Sequence, residues 1–264
     1  MTDAPARIAD GLAAGQLIPY LGPETLLLGG SVSVPTSSRA LAERLSAKIT
    51  VPARARGNVW AAAQFIETKR HRQTLSKLMA EIFGAPVLPN PLHRWLASLA
   101  LPLIVDAWYD GAMAATLTGD WGQIQAVTRN GKHEDIWYRP LRPDGAVATA
   151  EEADGWTTIL YKPHGAVRPN GEFLLSDSDY VEVLTEIDIQ TPIPPQVKER
   201  RADRGFVFLG CRFHDQMERI FARQILKRSA GPHFAVLPFE PTHNERRFLE
   251  EMAIERIELP LDKV

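Results

Sequence analysis

Four short segments of the 264-residue chain carry side chains whose types could support catalysis or ligand binding. Each follows, or ends, a run of apolar residues typical of a buried strand. In open parallel sheets, ligands bind beyond the carboxyl ends of the strands, so chemistry is expected at these positions. The segments are Leu21-Gly22-Pro23-Glu24, Val105-Asp106-Ala107-Trp108-Tyr109-Asp110, Tyr161-Lys162-Pro163-His164-Gly165 and Leu209-Gly210-Cys211-Arg212-Phe213-His214-Asp215.

Within these segments His164 is the residue best suited to general base catalysis, because an unperturbed imidazole has a pKa of ~6.5. The competing interpretation is a histidine that only satisfies backbone groups at a strand end. Cys211 is predicted to be a small buried residue, since no neighbouring base would generate a thiolate. As the single cysteine of the chain, it excludes an intramolecular disulfide and a thiolate-rich zinc site, and no histidine spacing predicts another metal site.

The elements that must position these segments alternate between strand and helix. Alternation of this kind predicts an α/β protein with a mostly parallel sheet covered by helices. Strands are predicted at Leu17–Leu21, Leu101–Val105, Thr157–Lys162, Gly205–Gly210, Phe234–Leu237 and Ile257–Leu259. Helices are predicted at Ser38–Lys48, Asn58–Phe83 and Asn90–Leu99, after Asp215 and from Asn244.

Two smaller units complete the predicted organisation of a single domain spanning residues 1–264. A small helical module is expected at about 58–84. A β-ribbon insertion is expected at about 121–150, because Trp121–Thr128 and Glu134–Leu141 flank Asn130-Gly131, a strong hairpin signal.

Shorter signals set individual boundaries. Thr2 or Asp3 can cap a first helix that Gly15 ends. Asn170-Gly171 predicts a further turn, and Ser176 with Asp179 has the spacing of a capping box for a helix through Ile187.

The composition limits the classes of partner that the protein is expected to bind. The 30 lysines and arginines against 32 acidic residues give a net charge of -2, which disfavours nucleic acid as a partner. No apolar run approaches the ~20 residues that span a bilayer, so we expect no membrane insertion and a cytoplasmic protein. The basic stretches Lys69-Arg70-His71-Arg72 and Lys198-Arg200-Arg201-Arg204 are predicted to be solvated faces, with protein binding as the alternative.

Taken in order, the four segments resemble the sirtuin-like family, particularly its compact bacterial branch without the zinc module. That branch has strands ending in G-A-G and in T-x-N-x-D, then L-H-G, then F-L-G followed by Asp. The counterparts are Y-L-G-P-E, V-D-A-W-Y-D, K-P-H-G and F-L-G-C-R-F-H-D, and L-S-D-S-D-Y resembles the common T-x-x-D-Y. The resemblance spans about Leu12 to Leu259.

This resemblance implies a Rossmann-like sheet with helices on both faces and NAD as cofactor or substrate. Family members use NAD to remove acyl groups from lysine, or hydrolyse it. By this correspondence His164 would be the general base. The nucleotide would be bound by Gly22, Pro23, Glu24, Trp108, Tyr109, Asp110, Gly165, Gly210 and Cys211.

The sequence also departs from the family pattern at two sites. The family's Asn corresponds to Trp108, and an indole has no acceptor with which to orient a water. In the phosphate loop, Pro23 offers no N–H and the charge of Glu24 would oppose a pyrophosphate if it faced the phosphates. These changes predict a degenerate catalytic site.

Three functions remain open at this stage. The leading one is a nucleotide-binding or regulatory module for NAD or ADP-ribose that works with a protein partner. The first alternative is an active NAD-consuming enzyme, with His164 as base and Glu24 or Asp106 replacing the missing Asn. The second alternative is a structural interaction protein without a ligand. The sequence leaves the oligomeric state open.

Overall fold

The computed structural model describes residues 4–128, 136–181 and 193–263. Its strands are β1 (Leu17–Leu21), β2 (Leu103–Asp106), β3 (Trp121–Ala126), β4 (Tyr138–Leu141), β5 (Thr158–Lys162), β6 (Gly165–Ala166), β7 (Glu172–Phe173), β8 (Gly205–Leu209), β9 (His233–Val236) and β10 (Ile254–Ile257). Eight of them form one sheet in the order β10-β9-β8-β1-β2-β5-β3-β4, while β6 and β7 form a separate hairpin. Every neighbouring pair in the large sheet is parallel except β3 with β4, so the predicted Rossmann-like α/β fold is confirmed.

Helices cover both faces of this sheet because side chains alternate along each buried strand. In β1, Ile18 and Tyr20 point to one face, and Leu17 and Leu21 to the other. The Leu17 face packs against the helices Ala4–Ala13 and Pro91–Ser98. The Ile18 face packs against the helices Ala150–Gly155, Pro195–Arg201, Gln216–Leu226 and His243–Glu251.

A helical layer covers the carboxyl end of the sheet. It contains the helices Ser38–Lys48, Val59–Arg70 and Arg72–Ile82. The prediction of one helix over Asn58–Phe83 was wrong, because the chain breaks at His71, whose φ is 68°. The second helix begins at Arg72, whose Nη1 lies 2.6 Å from Oδ2 of Asp179. This ion pair with a residue far along the sequence holds the start of the second helix in place.

The two strands of the predicted β ribbon do pair antiparallel, from Gln123 with Leu141 to Ala126 with Tyr138. They do not stand apart as an insertion, since β3 also pairs in parallel with β5. Every residue of β3 is buried, so this strand needs cover on both faces. It has that cover as an inner strand of the main sheet, between β4 and β5. The Asn130-Gly131 turn lies outside the described residues.

Other boundaries were mostly predicted well. Asn90 caps its helix by accepting a hydrogen bond from the His93 N–H at 3.1 Å. Ser176 and Asp179 exchange both capping-box bonds, and a helix runs over 177–181. Its predicted continuation to Ile187 and the predicted cap at Thr2 or Asp3 lie outside the described residues. The last strand starts at Ile254, three residues before the predicted start, because its pairing with β9 begins there. Across the described ranges, no helix combines the length and apolarity that crossing a bilayer requires.

Candidate functional site

The four segments picked out in the sequence meet at one cavity beyond the carboxyl ends of β1, β2, β5 and β8. This central cavity has about 440 Å³ of empty space, part of it open to solvent. Six of the residues assigned from the sequence line it: Gly22, Pro23, Trp108, Tyr109, His164 and Cys211. The other five lie outside its wall: Glu24, Asp106, Asp110, Gly165 and Gly210.

The loop after β1 is closed by backbone hydrogen bonds. The N–H groups of Gly22 and Glu24 donate to the carbonyls of Leu209 and Gly210 at 2.8 and 3.0 Å. The Thr25 N–H donates to the Gly22 carbonyl at 3.2 Å, and Pro23 has no N–H. No backbone donor from 22 to 25 is therefore left for a phosphate.

Close packing explains the glycine at position 22. A Cβ there would lie 2.3 Å from the Gly210 carbonyl oxygen and 2.7 Å from the Cys211 Cα. The loops after β1 and β8 therefore touch through their backbones. The half-buried Glu24 carboxyl lies 3.7 Å from Arg212 Nη1, so a cation stands beside the charge that the sequence predicted would oppose a phosphate. Burial raises the pKa of Glu24, and Arg212 partly offsets the rise.

The segment after β2 is fixed by a buried ion pair. Lys162 Nζ lies 2.7 Å from Asp106 Oδ2 and also donates to the Asp110 carbonyl at 3.0 Å. The Trp108 N–H donates to Asp106 Oδ1 at 3.2 Å, and its indole Nε1 donates to the Pro35 carbonyl at 2.8 Å. The one polar atom of the indole is thus occupied, and Asp106 is held by its lysine.

His164 is buried at the end of β5 in a network of aromatic side chains. Its Nδ1 lies 3.0 Å from the hydroxyl of Tyr180, which also lies 3.1 Å from the Leu174 carbonyl. The Tyr109 hydroxyl donates to that same carbonyl at 2.8 Å. The ring of Phe221 packs against the imidazole with centroids 4.3 Å apart. The ring is therefore held in one orientation at the cavity wall.

Burial, and to a smaller extent the nearby ammonium of Lys162, together lower the pKa of His164 to about 3. The imidazole is consequently neutral at physiological pH, with one nitrogen able to accept a hydrogen bond. Efficient general bases have pKa values near the working pH, so an imidazole this weakly basic is a poor proton acceptor.

The segment after β8 contributes a buried thiol and a turn. Cys211 Sγ lies 3.5 Å from the Tyr20 carbonyl, and burial raises the pKa of the thiol well above its usual value. Gly210 has a φ of 64°, and a Cβ there would lie 2.4 Å from the Thr25 amide nitrogen. In the segment that follows β5, Gly165 is the first residue of the β6–β7 hairpin. Cys211 therefore lines the wall as a protonated thiol, while Gly210 and Gly165 form turns outside the wall.

Four polar residues that the sequence analysis did not assign also line the central cavity: Ser38, Trp60, Arg212 and Glu218. Three of them have a buried polar atom without a hydrogen-bond partner, namely Trp60 Nε1, Arg212 Nε and Glu218 Oε2. Buried polar atoms in folded proteins are nearly always paired with protein groups or with water, so three unpartnered atoms around one cavity are positions where water or a polar ligand can bond.

Glu218 is the carboxyl group of this wall. Its Oε1 accepts a hydrogen bond from the Ser38 hydroxyl at 2.9 Å, while His214 Nδ1 lies 3.6 Å from Oε2, beyond hydrogen-bond distance. The pKa of Glu218 is raised to about 8, mainly by burial. The hydrogen bond from Ser38 lowers this pKa, and the negative charge of Asp215 raises it. At neutral pH the group is mostly a neutral acid that can both donate and accept.

A second cavity of about 490 Å³ shares Tyr20 with the central cavity. Its wall is mainly apolar and includes Val105, Leu174 and Ile225. Among the residues described, none of the unpartnered polar atoms lies in that wall. Unpartnered buried polar atoms therefore distinguish the central cavity from this second cavity.

Sequence signals for the missed residues differ. Arg212 lies inside the F-L-G-C-R segment and could have been found from its position after a buried strand. Ser38, Trp60 and Glu218 come from three separate helices. Nothing in their local sequence indicates that these helices meet.

Comparisons with known proteins address the family. A model of the SIR2-like domain matches residues 102–257, more than half of the chain. No curated protein matches. A solved structure described as "Structural Basis for the Mechanism and Regulation of Sir2 Enzymes" is similar to this chain over 94% of each chain, with 11% identity and a TM-score of 0.38. On the strength of the domain match, the chain belongs to the SIR2-like family.

Proposed function

We propose that the protein is a nucleotide-binding module for NAD or an ADP-ribose-type ligand, with a degenerate catalytic site, and that it acts as a regulatory partner of another protein. The observation that carries the proposal is the central cavity, in which four distant segments surround three unpartnered buried polar atoms. We place its action in the cytoplasm, because a lone buried thiol suits a reducing compartment.

The residues present fit one part of such a ligand better than another. The Trp60 indole N–H, the Glu218 carboxyl and the neutral His164 offer donors and acceptors for ribose hydroxyls and an amide. The loop at 22–25 offers no free backbone N–H for the pyrophosphate. We assign the phosphate contact to Arg212, whose Nε is unpartnered and whose guanidinium lies over the Phe239 ring at 3.4 Å.

Two features support a degenerate rather than an active site. By the resemblance Trp108 corresponds to the family's Asn, and its one side-chain donor is already bonded to the Pro35 carbonyl. His164 is the remaining candidate base, and its pKa of about 3 makes it a weak one. When NAD is bound in an active family member, it supplies the glycosidic bond that is cleaved.

Calorimetric titration with NAD, ADP-ribose and ADP tests the proposal. We expect binding of at least one of them, weakened about tenfold or more by Trp60→Phe, which removes the indole N–H, and by Arg212→Ala. Arg247→Ala, at an exposed helix position that does not line the cavity, is the matched control for Arg212→Ala. Absence of binding to all three ligands at millimolar concentration overturns the ligand claim and leaves a structural interaction protein.

The alternative is an active NAD-consuming enzyme, favoured by the fixed contact between His164 and Tyr180. Glu24 and Asp106 lie outside the cavity wall, and Asp106 is paired with Lys162. Measuring nicotinamide release separates the two functions. Our proposal expects no release above the uncatalysed rate, whereas release that disappears in His164→Ala establishes the alternative.

A further inference from the structure

A second polar concavity lies at the opposite edge of the sheet, beside the amino ends of β8 and β9. It is formed where the helix Pro195–Arg201 and the helix Gln216–Leu226 both end. Its open space is about 810 Å³. The side chains of Lys198, Arg201, Lys227 and Arg228 line it, and Glu199 is its one acidic residue. We call this surface the basic concavity.

The cations of the basic concavity have no acidic partner in the part of the chain that the structure describes. Among the described residues, none of the four lies within ion-pair distance of a carboxylate. Two other basic residues nearby, like Nη1 of Arg201, are bonded to backbone carbonyls. Arg200 donates to the carbonyls of Pro102 and Trp156, and Arg204 donates to the Gly15 carbonyl, so both hold the fold together.

The positive groups are also held close to one another. Arg201 is buried, and its Nη1 donates to the carbonyls of Gln224 and Ile225 at 2.7 and 2.9 Å. Burial lowers the pKa of Lys198, and the charges of Arg201 and Arg228 lower it further. Like charges gathered in one concave wall repel one another; the carbonyl ends of the two helices offset part of this repulsion, and a bound anion would offset more.

Arg228 is itself placed at a conformational cost. Its φ is 67°, in the left-handed region where glycine is the usual residue after a helix end. Arg228 therefore places a long charged side chain at a backbone conformation that glycine adopts most easily. This conformation ends the helix and leaves the Arg228 side chain in the wall of the basic concavity.

We infer that the basic concavity binds a compact phosphate-bearing anion, at a site separate from the central cavity. Guanidinium and ammonium groups arranged around one concavity match several phosphate oxygens at once. The surface is bounded and local, and the chain as a whole has a net charge of -2, so an extended nucleic-acid track does not fit. This inference is independent of the function proposed for the central cavity.

Titration of the full chain with inorganic pyrophosphate by calorimetry tests the inference. Lys227→Ala with Arg228→Ala removes two exposed cations from the basic concavity, and we expect binding at least tenfold weaker. Arg246→Ala with Arg247→Ala is the matched control, because it removes the same charge from another exposed helix, and we expect less than a twofold change. Loss of pyrophosphate binding in Arg212→Ala instead would place the pyrophosphate in the central cavity and overturn the inference.

Comparing pyrophosphate with ADP distinguishes a bare phosphate chain from a nucleotide, and either one, if lost in the Lys227/Arg228 variant, supports the inference. Affinity should fall as ionic strength rises. No binding of either at millimolar concentration and low salt overturns the inference, as does equal weakening in the control variant. Tighter binding of a single-stranded oligonucleotide through the same residues also overturns it, in favour of a nucleic-acid surface.

Discussion

Replacing Lys162 by Met should destabilise the fold strongly while keeping the size of the side chain. The ammonium lies 2.7 Å from Asp106 Oδ2, and the two side chains are 1% and 7% exposed. Removing one member of such a pair leaves a buried charge without a partner, which costs about 3–5 kcal/mol. The substitution also removes the donor to the Asp110 carbonyl, so the segment carrying Trp108 and Tyr109 loses its anchor.

The pH dependence of this variant follows from the aspartate. Burial raises the pKa of Asp106 from 3.8 to about 6, against the lowering effect of Lys162. Between these two values the folded state binds the proton more readily than the unfolded chain, so this group's contribution to stability falls as pH rises from about 4 to 6. Without Lys162 the pKa of Asp106 rises further, and the loss extends towards neutral pH. The Lys162→Met variant should therefore recover stability in acid.

Equilibrium urea unfolding at several pH values, followed by tryptophan fluorescence, measures the effect. Adding Asp106→Leu to Lys162→Met should restore most of the loss, because the unpaired charge is gone. Lys48→Met is the control, since Lys48 pairs with Glu81 at the surface and should cost less than about 1 kcal/mol. A cost below about 1 kcal/mol for Lys162→Met, or a double variant no more stable than the single one, contradicts the reasoning.

Further predictions concern the packing of the site. Gly22→Ala should cost about 1–3 kcal/mol in urea unfolding because its Cβ meets backbone atoms, whereas Gly111→Ala, with open space around it, should stay within about 0.5 kcal/mol. Cys211 should react with a thiol reagent only in denaturant, so rapid labelling of the native protein would contradict its burial. Tyr180→Phe should cost about 1–3 kcal/mol by leaving the buried His164 Nδ1 without a partner, and an unchanged unfolding midpoint would refute that contact.

Much of the fold could be predicted because its signals are local. Continuous apolar runs located β1, β5 and β8, and the Asn90 cap and the Ser176–Asp179 box follow from neighbouring residues. The break at His71 could not be predicted, because the contact that stabilises it joins Arg72 to Asp179, 107 residues away.

The candidate site could likewise be predicted only where its signals are local in the sequence. Residues that directly follow strands could be placed at one sheet edge, and the structure brings six of them to the central cavity. Whether each side chain reaches the cavity depends on tertiary partners: Asp106 is turned to Lys162, and the loop amides beside Glu24 are taken by β8. Trp60 and Glu218 carry no strand-end signal, so their meeting required the packed helices.

The helix Gln216–Leu226 touches both binding surfaces. Glu218 lies in the wall of the central cavity near one end, and Arg201 grips the carbonyls of Gln224 and Ile225 near the other. The rise of an α-helix puts Glu218 and Leu226 about 12 Å apart along the axis. One short helix therefore carries a residue of the central cavity and carbonyls held by a residue of the basic concavity, so a substitution that shifts its axis would be expected to alter both surfaces.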